Sequence, residues 1–225
     1  GVYAVDLCTY LPDKKALIIS DIHLGYEENM ERQGVLVPRM QLKDVLKRLD
    51  WILDHVVVER VVLNGDVKHE FGKITKQEWR DVRRFIDYLR QKGLDIVAVR
   101  GNHDTIFGPL AKELSIKEVK ELRHKNILIA HGDYVPSKLA PILIIGHEHP
   151  AVTLREKAKS ERFKCFVKTK FKQHTLIVQP AFNPLTQGTD ILGGNFLSPL
   201  ITDLLTAEIF LVDDETHKVL PFGKL

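Results

Sequence analysis

Five short apolar runs, rich in β-branched residues, each end in the same kind of polar tip, and this repetition constrains the fold more than any other feature of the chain. Ala16 to Ile19 runs into Ser20-Asp21-Ile22-His23, and Arg60 to Leu63 into Asn64-Gly65-Asp66-Val67-Lys68-His69. Ile96 to Val99 leads to Arg100-Gly101-Asn102-His103-Asp104, Ile127 to Ala130 to His131-Gly132-Asp133, and Ile142 to Ile145 to Gly146-His147-Glu148-His149-Pro150. Runs that are apolar throughout suit strands buried on both faces. In open α/β sheets the loops at the carboxyl ends of parallel strands share one edge, where ligands bind. The five tips are therefore expected to converge on one crevice.

Between the early runs lie helical patterns. After Pro38, which suits a first helical position, Leu42, Val45, Leu46, Leu49, Ile52 and Leu53 recur in steps of three and four. Trp79 to Lys92 repeats the pattern with Val82, Phe85, Ile86 and Leu89, and Gly93 is placed to stop it. Strand-helix alternation in the first half predicts an α/β sheet. Further strands are expected at Thr175 to Val178 and Glu208 to Val212, in a strand-rich second half with turn residues from Asn183 to Gly194. No repeat or linker interrupts the pattern, so residues 1–225 are read as one domain.

The tips carry Asp, His and Asn without a thiolate, a donor set that suits manganese, iron or zinc. Seven candidate ligands exceed what one tetrahedral ion uses, so two ions sharing a carboxylate are expected. In Asp21-x-His23 and His147-x-His149, an extended backbone would aim both side chains the same way. Glycine beside Asp66, Asn102, His131 and His147 fits turns where the backbone comes close to an ion or a phosphate. Each tip alone has a plain reading as a turn; their recurrence after five successive strands does not.

The ordered set Asp-x-His, Gly-Asp-x-x-His, Gly-Asn-His-Asp, a lone His and Gly-His-x-His, spanning Asp21 to His149, resembles the calcineurin-like metallophosphoesterase superfamily. Phe163-Lys164-Cys165-Phe166 and Gln179-Pro180-Ala181-Phe182-Asn183-Pro184 look similar to an archaeal phosphoesterase branch related to the Mre11/SbcD-type DNA-repair nuclease, and to the bacterial ligase-associated phosphoesterase. The resemblance implies a four-layer α-β-β-α sandwich of two mixed sheets with flanking helices. It also implies one metal on Asp21, His23 and His149, a second on Asn102, His131 and His147, and Asp66 as the bridge. Manganese is the expected ion, with iron, zinc or nickel as alternatives. By the same resemblance His103 is the catalytic histidine and Asp104 its orienting partner. His69 beside the site is a candidate for a secondary catalytic role, the plainer reading being a hydrogen bond to a ligand.

Two such ions would lower the pKa of a bridging water, whose hydroxide would attack phosphorus in line. Where many phosphatases of the superfamily carry Asp-Arg after Gly-Asp-x-x, this chain has His69-Glu70, which favours a phosphodiesterase, with nucleic acid as the candidate substrate. Alternatives are a small-molecule phosphatase or cyclic-nucleotide phosphodiesterase and, from another class, a non-catalytic scaffold or a nucleic-acid-binding subunit.

Ten histidines against two cysteines agree with imidazole and oxygen ligation. Neither Cys8 nor Cys165 belongs to a Cys-x-x-Cys pair, so a reducing, cytoplasmic setting is expected, and no signal peptide or membrane span is visible. His55, His124, His174 and His217 are read as structural or surface residues. Arg39 is a candidate phosphate contact, with a surface residue at a helix start as the plainer reading. Between Arg155 and Lys172 lie eight basic and two acidic residues, an excess larger than the whole chain's net charge of +3. On an alternating strand, Arg162, Lys164, Lys168, Lys170 and Lys172 would share one face around Phe166, a candidate nucleic-acid stripe; the competing reading is an edge strand guarded by lysines.

Overall fold

The computed structural model describes residues 1–104, 107–157 and 159–224. The first sheet is built from β1 (Tyr3–Val5), β2 (Cys8–Leu11), β3 (Ala16–Ile19), β4 (Arg60–Asn64), β5 (Asp95–Val99) and β6 (Lys117–Val119), in that spatial order. Strands β3 to β6 run parallel, and β1 and β2 close one edge antiparallel. The second sheet holds β7 (Leu122–His124), β8 (Ile127–Ile129), β9 (Ile142–Ile145), β10 (Pro150–Glu156), β11 (Lys159–Phe171), β12 (His174–Val178) and β13 (Thr189–Asp190). The hairpin β14 (Glu208–Val212) and β15 (Val219–Lys224) joins it along β11. Strands β8 and β9 are parallel, so their carboxyl ends also share one edge.

The period-two faces of the strands explain the packing. Ala16, Ile18, Val62 and Val99 of the first sheet meet Ile127, Ile129 and Ile144 of the second in a dry inter-sheet core. The alternate residues Leu17, Ile19, Val61, Leu63 and Ala98 face the helices α2 (Gln41–His55) and α3 (Lys76–Gln91). Helix α2 offers Val45, Leu49 and Ile52, and α3 offers Val82, Phe85, Ile86 and Leu89, the stripes predicted from periodicity. The short helices α1 (Tyr26–Arg32) and α4 (Phe107–Glu113) complete that layer. On the second sheet the outer face is covered differently: Ala140, Ile191, Leu200, Ile201 and Leu204 pack on Leu143, Ile145, Leu176 and Val178. These covering residues come from loops and one 3-10 turn, so the two mixed sheets stand as expected while the helical layer lies on the first sheet.

Pro38 is not the first helical residue, because α2 begins at Gln41. Helix α3 starts earlier than the apolar pattern, at a capping box in which Thr75 Oγ1 accepts from Glu78 N and Glu78 Oε2 accepts from Thr75 N.

The basic segment is also corrected. Alternation holds from Lys168 onward, but Lys164 and Phe166 are buried, because β11 is an interior strand there, flanked by β10, β12 and β14. Lys164 Nζ donates to Ala181 O at 2.9 Å and to Asn183 O at 2.5 Å. Arg162 is engaged by Thr153 and Gly188, and Lys168 by Glu208. The five cations therefore form no continuous stripe. Cys165 is buried and its thiol is pushed well above the usual range by burial, as a core residue should be. Among the described residues no helix is long and apolar enough to cross a membrane.

Candidate metal centre and active site

Asp21 and His23 follow β3, Asp66 and His69 follow β4, and Asn102, His103 and Asp104 follow β5; His131 follows β8, and His147 and His149 follow β9. Each sheet thus supplies part of one cluster. The first two loops continue the sheet pairing: His23 N donates to Asp66 O at 2.9 Å and Leu24 N to Val67 O at 2.9 Å.

The expected extended backbone at the paired ligands is not what aims them. Asp21, His23, Asp66, His147 and His149 all have φ between +50° and +67°, in the left-handed region. Such a conformation costs a non-glycine residue roughly 1–2 kcal/mol, and it persists only where the surroundings hold it. The turns swing these side chains inward. His149 Nε2 lies 3.2 Å from Asp21 Oδ1 and 3.3 Å from His23 Nε2. On the other side, His131 Nε2 lies 2.9 Å from Asn102 Oδ1 and 3.4 Å from Asp66 Oδ2. Asp66 Oδ2 is also 3.7 Å from His23 Nε2 and 3.8 Å from His103 Nε2, so one carboxylate oxygen is central to three imidazoles. Two donor groups match the expected pair of ions, Asp21, His23 and His149, and Asp66, His131 and His147 with Asn102 beside the second, while His23, His69 and His103 form a third cluster that shares His23 with the first. Gly65 and Gly146 make the close approach possible: a Cβ on Gly65 would strike the His131 ring, and one on Gly146 the Asp21 carboxylate.

Electrostatics fit a cation in each group. Burial, reinforced by His149, pulls the His23 imidazole down to about 3, so the ring is neutral at neutral pH, as a metal ligand must be. The burial penalty on His131 is overcome by the Asp66 and Asp21 carboxylates, which push it up to about 10; a proton there stands where a metal ion would. Asp66 and Asp21 are held below the usual carboxylate range by surrounding imidazoles despite their burial. Nδ1 of His131 lies 3.2 Å from Asn64 O, which turns Nε2 towards the cluster.

His103 is half-buried, with Nε2 facing the cluster and Nδ1 hydrogen-bonded to His69 O. Asp104 Oδ2 accepts from Gly101 N at 3.1 Å and fixes the turn that carries His103, while Nδ1 of the His103 ring bonds His69 O rather than Asp104. Burial and the Asp66 charge raise Asp104 to about 7. His69 places Nδ1 3.4 Å from Nδ1 of His23, and burial with neighbouring His103 pulls it down to about 4. The ring of Phe71, itself exposed, lies on His103 at 3.6 Å between centroids. Arg39 forms a two-pronged pair with Glu31 and is spoken for. His55 and His217 stack on Trp51, His124 pairs with Asp13, and His174 bonds Ala140 O, all away from the cluster.

Sequence reasoning missed the support behind these side chains. Glu78 Oε1 accepts from His69 N and Glu70 N, so the capping residue of α3 also fixes the His69 loop. Gln41 Nε2 donates to His23 O and to Asn183 Oδ1. Glu148, pointing away from His147 and His149, accepts from Leu197 N and Ser198 N, and Ser198 Oγ reaches Gly132 O. The Thr75-x-x-Glu78 spacing carried a readable signal; Gln41 and Glu148 carried little.

The profile of the family described as calcineurin-like phosphoesterase matches residues 14–204. The chain belongs to that family. Among solved structures it is similar to the Pseudomonas putida nuclease MPE, with 25% identity, a TM-score of 0.70, and coverage of 98% of this chain and 94% of that one. A phosphoesterase from E. coli, Yfce, matches at 15% identity and a TM-score of 0.46 over 93% of this chain and 99% of that one. No curated protein matches the sequence. As a calcineurin-like metallophosphoesterase, the chain carries a clustered Asp and His donor set suited to divalent metal ions at the convergence of its strand ends.

Proposed function

We propose that this metallophosphoesterase is a phosphodiesterase that cleaves nucleic-acid strands. The observation that carries the reading is the likeness to a nuclease over nearly the whole length of both chains. The donor groups support Asp21, His23 and His149 as holders of one ion, Asn102, His131 and His147 as holders of a second, and Asp66 as the bridge. Manganese fits this oxygen and imidazole set. Such a pair of ions supplies an activated water at neutral pH and neutralises charge on the phosphoryl oxygens.

The chain's own residues do the rest. Nδ1 of His103 is taken by His69 O, leaving Nε2 to carry a proton towards the leaving oxygen, work typically contributing ~10² to 10⁴ in rate. Nδ1 of His69 lies 3.4 Å from Nδ1 of His23, a contact that engages that nitrogen and leaves His23 Nε2 free to ligate. His69 is therefore a positioning residue. The ligands come from both sheets, so residues 1–225 act as one domain, and two free buried cysteines suit the cytoplasm.

The test is a manganese-supplemented activity screen across a phosphomonoester, a chromogenic phosphodiester, a cyclic nucleotide, and single- and double-stranded DNA. Turnover of the diester and of DNA is expected, and turnover of the monoester alone would overturn the proposal. In the same assay His103→Ala keeps its metal and loses at least a hundredfold in rate, whereas Asp66→Ala loses both; full activity in either variant removes the assigned role.

A further inference from the structure

Outside the metal cluster, the face between α2 and α3 holds a cleft of about 560 Å³. Leu42 and Leu46 give it an apolar floor, and Lys43, Lys47, Arg80 and Arg84 line it with exposed cations. Lys43 and Lys47 are one turn apart on α2, and Arg80 and Arg84 one turn apart on α3, so each pair repeats charge at roughly 6 Å along its helix.

What distinguishes this cleft from an ordinary mixed-charge surface is how its acids are used. Asp50 is paired with Lys92 at 2.6 Å and accepts from Tyr88 Oη at 2.7 Å. Asp81 is taken by Arg80 at 2.8 Å. Glu27 is buried and accepts from Gln41 N and Gln77 Nε2 at 2.7 and 2.6 Å. Arg39, on the same lining, is held by Glu31. Among the described residues, Lys43, Lys47 and Arg84 have no carboxylate within 4.0 Å. Three unpaired cations over an apolar floor make a receptor for a linear polyanion whose units also carry an apolar surface. Behind the cleft, buried Glu27 holds Gln41 N while Gln41 Nε2 donates to His23 O at 2.9 Å, so two buried side chains connect its Glu27 end to the loop that carries a metal-ligand candidate.

We infer that the α2–α3 cleft binds the part of a nucleic-acid strand that extends beyond the scissile phosphate, with Lys43, Lys47 and Arg84 contacting its phosphates. The inference rests on the phosphodiesterase reading above and names a second contact surface for the same substrate. It takes the place of the β11 stripe, which burial of Lys164 breaks.

The experiment compares kcat/KM for oligothymidylates from two to thirty nucleotides in the wild-type protein and in a Lys43→Glu, Lys47→Glu, Arg84→Glu variant, with the three glutamine replacements as a milder second variant. Methyl p-nitrophenyl phosphate, too small to reach the cleft, is the reference substrate. The wild type is expected to gain at least tenfold with length, relative to the reference, and the charge-reversed variant to lose that gain. The slope of log kcat/KM against log salt should fall by about 2, as three single-strand phosphate contacts at ~0.7 each require. Long oligonucleotides cleaved by the variant with the wild-type length gain and salt slope would overturn the cleft alone. Failure of the wild type to cleave any nucleic acid while it hydrolyses a monoester would overturn the phosphodiesterase reading, and the cleft with it. Polyglutamate binding that is lost in the variant while oligonucleotide cleavage is unchanged would reassign the cleft to an acidic peptide.

Discussion

Lys164 is the residue whose replacement most sharply tests how the metal cluster is held. Its ammonium lies inside the protein and donates to Ala181 O and Asn183 O, while the same segment sends Phe182 N to Ser20 O at 2.9 Å and Asn183 N to Asp21 O at 3.2 Å. Lys164 thus braces the strip of backbone against which Asp21 is laid. Lys164→Met keeps most of the side-chain volume and leaves two carbonyls without their donor. An unsatisfied buried group costs about 1–3 kcal/mol, and removing a buried ammonium returns part of that, so a net loss of about 2–4 kcal/mol is expected. For a chain of this size that is a fall in Tm of roughly 5 to 15 °C. Weakened support for a ligand typically costs ~10 to 100-fold in metal affinity, and here it should fall on the ion held by Asp21. The assays are urea denaturation and calorimetric manganese titration of chelator-treated protein, with Lys170→Met as the surface control. Burial pulls Lys164 down to about 7, whereas the unfolded chain keeps its lysine proton to near 10.4. Between these values the unfolded state binds more protons, so wild-type stability should rise with pH relative to the variant. Stability within 0.5 kcal/mol of wild type, ~0.5 being the usual spread for surface changes, together with unchanged manganese affinity, would refute the bracing role.

Metal binding should release a proton from His131, because the Asp66 and Asp21 carboxylates push its pKa to about 10 in the metal-free protein. The sign follows: His131 stabilises the metal-free fold below its unfolded value near 6.5 and loses that contribution as pH rises through about 10, while manganese binds more tightly over the same rise. Calorimetry at pH 8 in buffers of different ionisation enthalpy checks this, and binding heats independent of buffer would contradict it. Gly146→Ala should displace the Asp21 carboxylate, so metal analysis of the purified variant should show less than the wild-type stoichiometry. Glu148→Ala leaves the buried Ser198 N–H without its acceptor and should cost about 1–3 kcal/mol in denaturation.

The apolar strands and their polar tips were legible because both signals are local: a run of buried residues states its own burial, and Asp, His and Asn at its end state a chemistry. The convergence of those tips followed from the parallel order of β3 to β5 and of β8 and β9. How the tips aim their ligands was not legible, since left-handed backbone at Asp21, His23, Asp66, His147 and His149 contradicts the local preference of those residues and is imposed by partners distant in sequence. Asp21 N is held by Gly65 O, His23 N by Asp66 O and His147 N by Asp21 Oδ2, and none of these pairings leaves a mark on the sequence near either residue.

The lysine stripe failed for a related reason. Alternation along β11 specifies two faces, but whether a face meets water depends on which strands flank it, and β14 (Glu208–Val212), supplied much later by the chain, closes over Cys165 to Lys168. A lysine trapped there persists because it ends on two carbonyls that would otherwise be unpaired, as buried polar groups generally require. Parity had made Lys164 a substrate contact, whereas burial makes it a brace behind Asp21. The two roles predict opposite responses to salt: a phosphate contact weakens as ionic strength rises, whereas a buried ammonium is screened very little. The manganese affinity that Lys164→Met loses should therefore be lost equally at low and high salt.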